Sequence, residues 1–351
     1  MARYFVVVAI GMWSWDNILI GAQAGTVECY PYKEERCQVE AFNVFFSAVG
    51  GAIAVCMMGV AYRYPLEALP ALRNQLGLVC GGVGLLSMAS ALAVRDARQP
   101  CQPTAVPDFL TSFREVWASR AFRWLAAANA FESMSVGVVT ANFLYYLRFV
   151  ASLDDRQLST AVVFVPVLGL LLQSLCSCFW GRLFAQKRQT PRNWTIGGRL
   201  LDALVTAVVM GSDRHIESFM LWFCCHRVLL SPRSFWAIAA RGWVIDEDSF
   251  HVIGRRRESL FSGVLSAINR MALAMGSAVI VGQALAGIDT TQPRAFVQPA
   301  SGVLYIRSLY IALVPALELA QAFCIYSFPI RGSRLDVLER EQGQSFRAVA
   351  R

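Results

Sequence analysis

The chain has 351 residues, of which 56% are hydrophobic and only 16% charged, with a formal net charge of +8. Soluble domains carry roughly 25% charged residues, and the bases here are spread between apolar runs rather than gathered into one basic domain, which excludes a nucleic-acid-binding module. The ten Cys form no CxxC pair, and G-x-S-x-G, H-E-x-x-H and Walker patterns are missing too, so the sequence offers no metal, no enzymatic and no ATP-driven chemistry.

The apolar runs define an all-α, polytopic transmembrane protein. Nine spans are predicted in chain order: Tyr4–Val27, Phe42–Tyr62, Asn74–Val94, Trp124–Leu147, Leu158–Gly181, Trp194–Gly211, Phe219–Ile245, Leu260–Ile288 and Val303–Ile330. Three of them (42–62, 74–94 and 158–181) contain no Asp, Glu, Lys or Arg. A run of about 18 or more such residues is long enough to cross the hydrocarbon core and lacks the polar face of a soluble helix. Arg3, the apolar Tyr4–Trp15 and Ala22-Gln-Ala24 mimic a secretory signal, but Asp16 interrupts the stretch. Pro166, Pro232 and Pro315 fall inside spans, where membrane helices tolerate them as kinks.

The loops between spans alternate in basic content. Counting Lys and Arg, one side holds 20, among them Arg36, Arg199, Arg257 and Arg334, and the other holds 8. The positive-inside rule then places the C-terminus in the cytoplasm and the N-terminus on the opposite side of an integral, multi-pass membrane protein. The expected organisation is a partial three-helix N-terminal bundle (1–94), a cytoplasmic central loop (95–123), a six-helix C-terminal bundle (124–330) and a cytoplasmic tail (331–351).

Charges inside the spans stand out, because Arg at a helix centre costs roughly 2.5–3.5 kcal/mol on the insertion scale. Asp16, Glu132, Asp202, Arg227, Arg233, Arg241, Arg270 and Glu318 are such residues. A substrate and cation pathway is expected along Asp16, Glu132, Tyr145, Arg227, Arg233 and Arg270, with Arg241 and Glu318 read as interfacial. His215, His226 and His251 are scattered and suggest no site.

Local motifs add a resemblance. Trp243-Val-Ile-Asp246-Glu-Asp248, followed by Gly254-Arg-Arg-Arg257-Glu258-Ser and a helix bearing Arg270, resembles the glycoside–pentoside–hexuronide:cation symporter family, the melibiose-permease-like branch of the major facilitator superfamily. Tyr32-Lys-Glu-Glu-Arg36, with Phe45-Phe46 and Gly50-Gly51, is similar to that family's loop between helices four and five, although Asn43 stands where Arg is common. Ser119-Arg-Ala-Phe122-Arg123 and Asn142-Phe-Leu-Tyr145-Tyr146 resemble the two ends of its seventh helix.

The resemblance implies that the nine spans are helices four to twelve, in an N-terminally truncated chain. Asp16 then lies near the family's cation-binding aspartate, and Arg270 stands where melibiose permease has a functional lysine. Arg36, Asp246, Asp248, Arg257 and Glu258 become cytoplasmic gate loops. The activity implied is secondary transport of a sugar or related small solute by cation symport, in the lipid bilayer. No cofactor is implied beyond a coupling Na⁺ or H⁺, and oligomeric state is left open. The alternative is a non-transporting pseudo-transporter or membrane interaction protein.

Overall fold

The computed structural model describes residues 35–45, 47, 50, 109–184, 191–211, 215–251, 257–288 and 298–349. The expected spans at 4–27 and 74–94, most of 42–62, and Asp16 lie outside the described residues. Among the described residues there is no strand. A helix over 35–45 (α1) is followed by α2 (Phe109–Ala118) and α3 (Arg120–Tyr145). Next come α4 (Asp155–Phe184), α5 (Pro191–Met210), α6 (His215–Leu230) and α7 (Pro232–His251). The chain continues with α8 (Glu258–Ser277), α9 (Val279–Leu285), α10 (Ala300–Ser308), α11 (Val314–Ser327) and α12 (Ser333–Val349).

Among the described residues three helices are long and apolar enough to cross a membrane: Arg156–Phe184, Glu258–Leu285 and Ala300–Ser327. Those boundaries lie close to three of the expected spans. The expected span at 219–245 differs, because it is built from two helices that meet at Ser231–Pro232. Pro232 has no N–H to continue α6 and instead opens α7, the position where a missing donor costs least. The Ser231 hydroxyl donates to the Val228 carbonyl at 2.7 Å, satisfying an acceptor released at the break. A π-helical turn, Leu309–Leu313, joins α10 to α11 just before Pro315. That proline cannot supply the usual bond to residue 311, so the helix widens locally. A second π turn, Tyr146–Val150, ends α3.

The bundle is apolar outside and polar within, the reverse of a soluble domain. On α5, Leu200, Leu204 and Val208 are exposed, while Arg199, Asp202 and Thr206 on the opposite face are at most 1% exposed. On α4 the exposed stripe is Phe164, Leu171, Leu175 and Phe179. Without water to pair them, polar groups in a bilayer must turn towards other helices.

Two apolar clusters cap the bundle. One contains Phe122, Trp236, Trp243, Phe261 and Phe328; the other contains Tyr146, Phe219, Trp222, Phe223 and Tyr310. Along α3, Asn129, Glu132 and Ser135 lie between the cluster residues Leu125 and Tyr146; along α11, Glu318 and Gln321 precede Ile325. A polar layer therefore separates the two clusters.

The helices approach closely where side chains vanish. A Cβ on Gly137 of α3 would sit 2.5 Å from the Leu273 carbonyl oxygen of α8, and one on Gly276 would collide with the Met134 backbone. Paired small residues are the usual means of bringing membrane helices into backbone contact.

Candidate functional site

Glu132 is the hub of the polar layer. Its carboxylate forms an ion pair with the Arg233 guanidinium at the start of α7. It lies 3.6 Å from the Arg199 guanidinium on α5 and accepts a 3.1 Å hydrogen bond from the Gln321 side-chain amide on α11. Arg199 also pairs with Glu318, which accepts a second bond from the Ser135 hydroxyl at 2.9 Å. Arg233 donates to the Asn129 side-chain oxygen at 3.2 Å. Two glutamates thus face two arginines with Asn129, Ser135 and Gln321 filling further hydrogen-bond positions, the condition for keeping buried charges ionised.

Next to this network is a cavity of about 140 Å³. Its walls come from Glu132, Val136 and Thr140 of α3, Gln173 of α4, Phe223, His226 and Arg227 of α6, Ser231, and Arg233 and Ser234 of α7. The α6–α7 break delivers three of these groups, Ser231, Arg233 and Ser234, since the chain turns inward at Pro232. Arg227 donates to the Gln173 side-chain oxygen at 3.2 Å and its guanidinium lies 5.0 Å from the Phe223 ring centroid. The result is a set of donors and acceptors beside an aromatic face.

A second ionic region lies at the Trp243 end of the bundle. Arg36 of α1 is 1% exposed and reaches Asp246 of α7 at 3.6 Å. It crosses directly over Gly242, where any Cβ would collide with the guanidinium. Arg257 is bidentate to Asp248, at 2.9 and 3.0 Å, and also pairs with Glu115 of α2. Burial pushes the Asp248 carboxyl upward from its ordinary value, and the Arg257 guanidinium opposes that shift. Arg334, at the start of α12, pairs with Glu247. Glu258, at the first position of α8, is buried.

The structure brings Glu132, Arg227 and Arg233 to one cavity. Tyr145 lies instead in the aromatic cluster, 6.0 Å from Phe149, and Arg270 is half-buried on α8. Neither is among the residues lining the cavity. The structure corrects two assignments. Glu318 is 1% exposed and paired, not interfacial, and Arg199 is a buried partner of two glutamates, not a loop residue. Arg199 therefore leaves the count of basic loop residues.

Sequence reasoning also missed the pairing of Asp202 with His226, whose Nδ1 and carboxylate oxygen are 2.9 Å apart. One signal existed. Arg199 and Asp202, three residues apart, share a helical face opposite Leu200 and Leu204.

A polar cavity inside a bundle whose outer face is apolar is the arrangement expected of a membrane carrier. Residues 3–332 match the family described as MFS/sugar transport protein. The chain belongs to that family. A comparison with curated proteins finds no match. As an MFS/sugar transport protein the chain is an integral, multi-pass membrane protein from a family of secondary transporters of sugar-like solutes, which is not an enzyme family.

Proposed function

We propose that this chain moves a sugar or related polyhydroxylated solute by cation symport, and that the cavity at the α6–α7 break is the six-helix bundle's share of the solute site. The observation that supports this most is the lining of that cavity. A sugar hydroxyl both donates and accepts, so it needs mixed partners; Glu132, the Gln173 side-chain oxygen and the Ser231 and Ser234 hydroxyl oxygens accept, while Arg227, Arg233 and Thr140 donate. Phe223, Val136 and Val139 offer apolar surface to the C–H face of the ring. Displacing ordered water by hydroxyls that reproduce its hydrogen bonds keeps the exchange close to balanced, which suits a site that must also release its cargo.

The ion pairs at the Trp243 end fit a gate. Arg36–Asp246 joins α1 to α7, and the Asp248–Arg257–Glu115 group joins α7 and α8 to α2. In the proposed cycle these contacts close one face while the cavity opens to the other, and solute plus cation shift the balance between the two arrangements. The glycoside–pentoside–hexuronide:cation branch is the reading most consistent with the order of the motifs around Arg36, Asp246 and Arg257.

The test is counterflow of radiolabelled hexoses and disaccharides into proteoliposomes of the full chain. Wild type should accumulate label, and Gln173→Ala should lower the rate about tenfold through one lost hydrogen-bonding group. Wild-type vesicles that never exceed empty liposomes would sink the transport reading and favour a non-transporting membrane protein.

A further inference from the structure

One buried titratable pair is left unused by the solute site. Asp202 of α5 has no exposure, and only one of its carboxylate oxygens has a partner, the His226 imidazole at 2.9 Å. The other oxygen makes no hydrogen bond among the described residues. His226 itself lines the cavity, so the imidazole stands between the buried carboxylate and the space reached by solute and water. Its position is fixed from behind, because the Trp222 ring lies 5.0 Å from it and the Trp222 indole N–H donates to Thr206 at 2.7 Å.

The surroundings decide which ion such a pair takes. From α3 it meets Glu132, which is already matched by Arg233 and Arg199. From α4 comes Gln173, which is uncharged, and from α6 itself Arg227 and Cys225. Arg233 comes from α7, and Tyr310 packs edge-on to Trp222 at 5.4 Å. On the α5–α11 side Arg199 and Glu318 neutralise each other. Among the described residues Arg199, Arg233, Glu132 and Glu318 pair with one another, Arg227 donates to Gln173, and Asp202 forms its ion pair with His226, a side chain that gains or loses charge near neutral pH. A metal ion needs several oxygen or nitrogen ligands, and no metal-holding group of three His, Cys, Asp or Glu occurs among the described residues.

We infer that Asp202 and His226 form a proton-binding site inside the six-helix bundle, loaded from the cavity beside it. A hydronium ion relayed through cavity water gives its proton to Nε2 of neutral His226 and is left as water, and the imidazolium is held through Nδ1 by the Asp202 carboxylate. The pair gains one positive charge and no other bond changes. A space of about 140 Å³ admits several waters, since each occupies roughly 30 Å³ in the liquid. The use of this site in coupling rests on the transport reading above; the binding of the proton does not. That reading left Na⁺ or H⁺ open, and a carboxylate–imidazole pair is suited to H⁺.

The test is nitrogen NMR of histidine-labelled full chain in nanodiscs, with the His226 signal assigned by its loss in His226→Gln. Wild-type His226 should show the nitrogen shifts of reversible proton uptake, and Asp202→Asn should weaken that uptake about tenfold or more. Unchanged His215 and His251 signals serve as the check of folding. A wild-type His226 that does not titrate overturns the proposal, as does an Asp202→Asn variant, with the other two signals intact, that titrates like wild type. A parallel assay in vesicles loaded with a pH dye and given a hexose gradient separates the two ideas. His226 titration without hexose movement leaves the proton site standing and removes the transport reading; hexose movement with a silent His226 does the reverse.

Discussion

Glu132 and Asp248 are both carboxylates held by arginine, yet they sit in regions built for opposite behaviour. Glu132 lies within the polar layer, shared between Arg233, Arg199 and Gln321, with apolar clusters at either end. Asp248 lies beyond the apolar stretch, at the end of α7, and its partner Arg257 also holds the more exposed Glu115. Both carboxylates are buried, so the difference lies in their neighbours: Glu132 is held by several partners inside the layer, whereas Arg257 divides itself between buried Asp248 and exposed Glu115, the contact that water replaces at little cost. The contrast teaches a division of labour. In the proposed transport cycle the layer serves as the scaffold of the cavity, and the end ion pairs are the contacts that open and close.

Removing the hub should have the largest effect. Glu132→Ala strands Arg233 and leaves Arg199 with Glu318 alone, and a buried pair broken from one side costs about 3–5 kcal/mol. Thermal unfolding of the purified chain should show a loss well beyond that of any end-contact variant. A melting profile like wild type would mean that the layer is wet enough to need no pairing.

Packing comes next. Gly276→Val places side-chain atoms on the Met134 backbone, an overpacking expected to cost about 1–3 kcal/mol and to loosen α3 from α8. Limited proteolysis should then cut within 257–288 faster than in wild type. An unchanged rate would show that the two helices do not depend on this contact.

The end contacts should respond through opening more than through unfolding. Cys37 is fully buried beside Arg36, so Asp246→Asn should speed its labelling by a maleimide about tenfold, and because the pair is itself buried it should also lower the melting point, by less than Glu132→Ala since Asn keeps an oxygen facing Arg36. Equal labelling would argue that Arg36–Asp246 does not close this face.

The smallest expected effect is the pH response of Asp248. Burial raises its carboxyl in the folded state, so the folded chain binds this proton more readily than the unfolded chain does. Its contribution to stability is therefore greatest at low pH and is lost as pH rises through the raised value. Wild type should gain stability relative to Asp248→Asn as pH falls from neutral towards the carboxylate range. A constant difference between the two would remove this titration from the account.

Much of this contrast was legible in the sequence. Charge-free runs such as 158–181 carry a length and hydropathy that only a membrane rewards, and α4 forms where that run predicts it. Glu132, Arg227 and Arg233 were conspicuous because each interrupts an apolar span. Arg199 and His226 were not. Arg199 lies near the start of the expected span at 194–211, where loop and span look alike in sequence, although the helix itself begins at Pro191, and a lone histidine carries no periodic signal. Their partners, Glu318 and Asp202, come from other helices at 119 and 24 residues' separation, which only the tertiary packing reveals. The break at Ser231–Pro232 was visible as a proline, but its effect of turning Arg233 and Ser234 into the cavity depends on how α6 and α7 pack.

The central claim is that solute occupies the cavity at that break, and blocking it without touching its charges tests this most directly. Ser234→Leu fills the space while keeping Glu132, Arg227 and Arg233 in place. In hexose counterflow by proteoliposomes the account predicts a variant that melts like wild type and has lost nearly all exchange. A Ser234→Leu chain that exchanges label at the wild-type rate would place the solute elsewhere and contradict it.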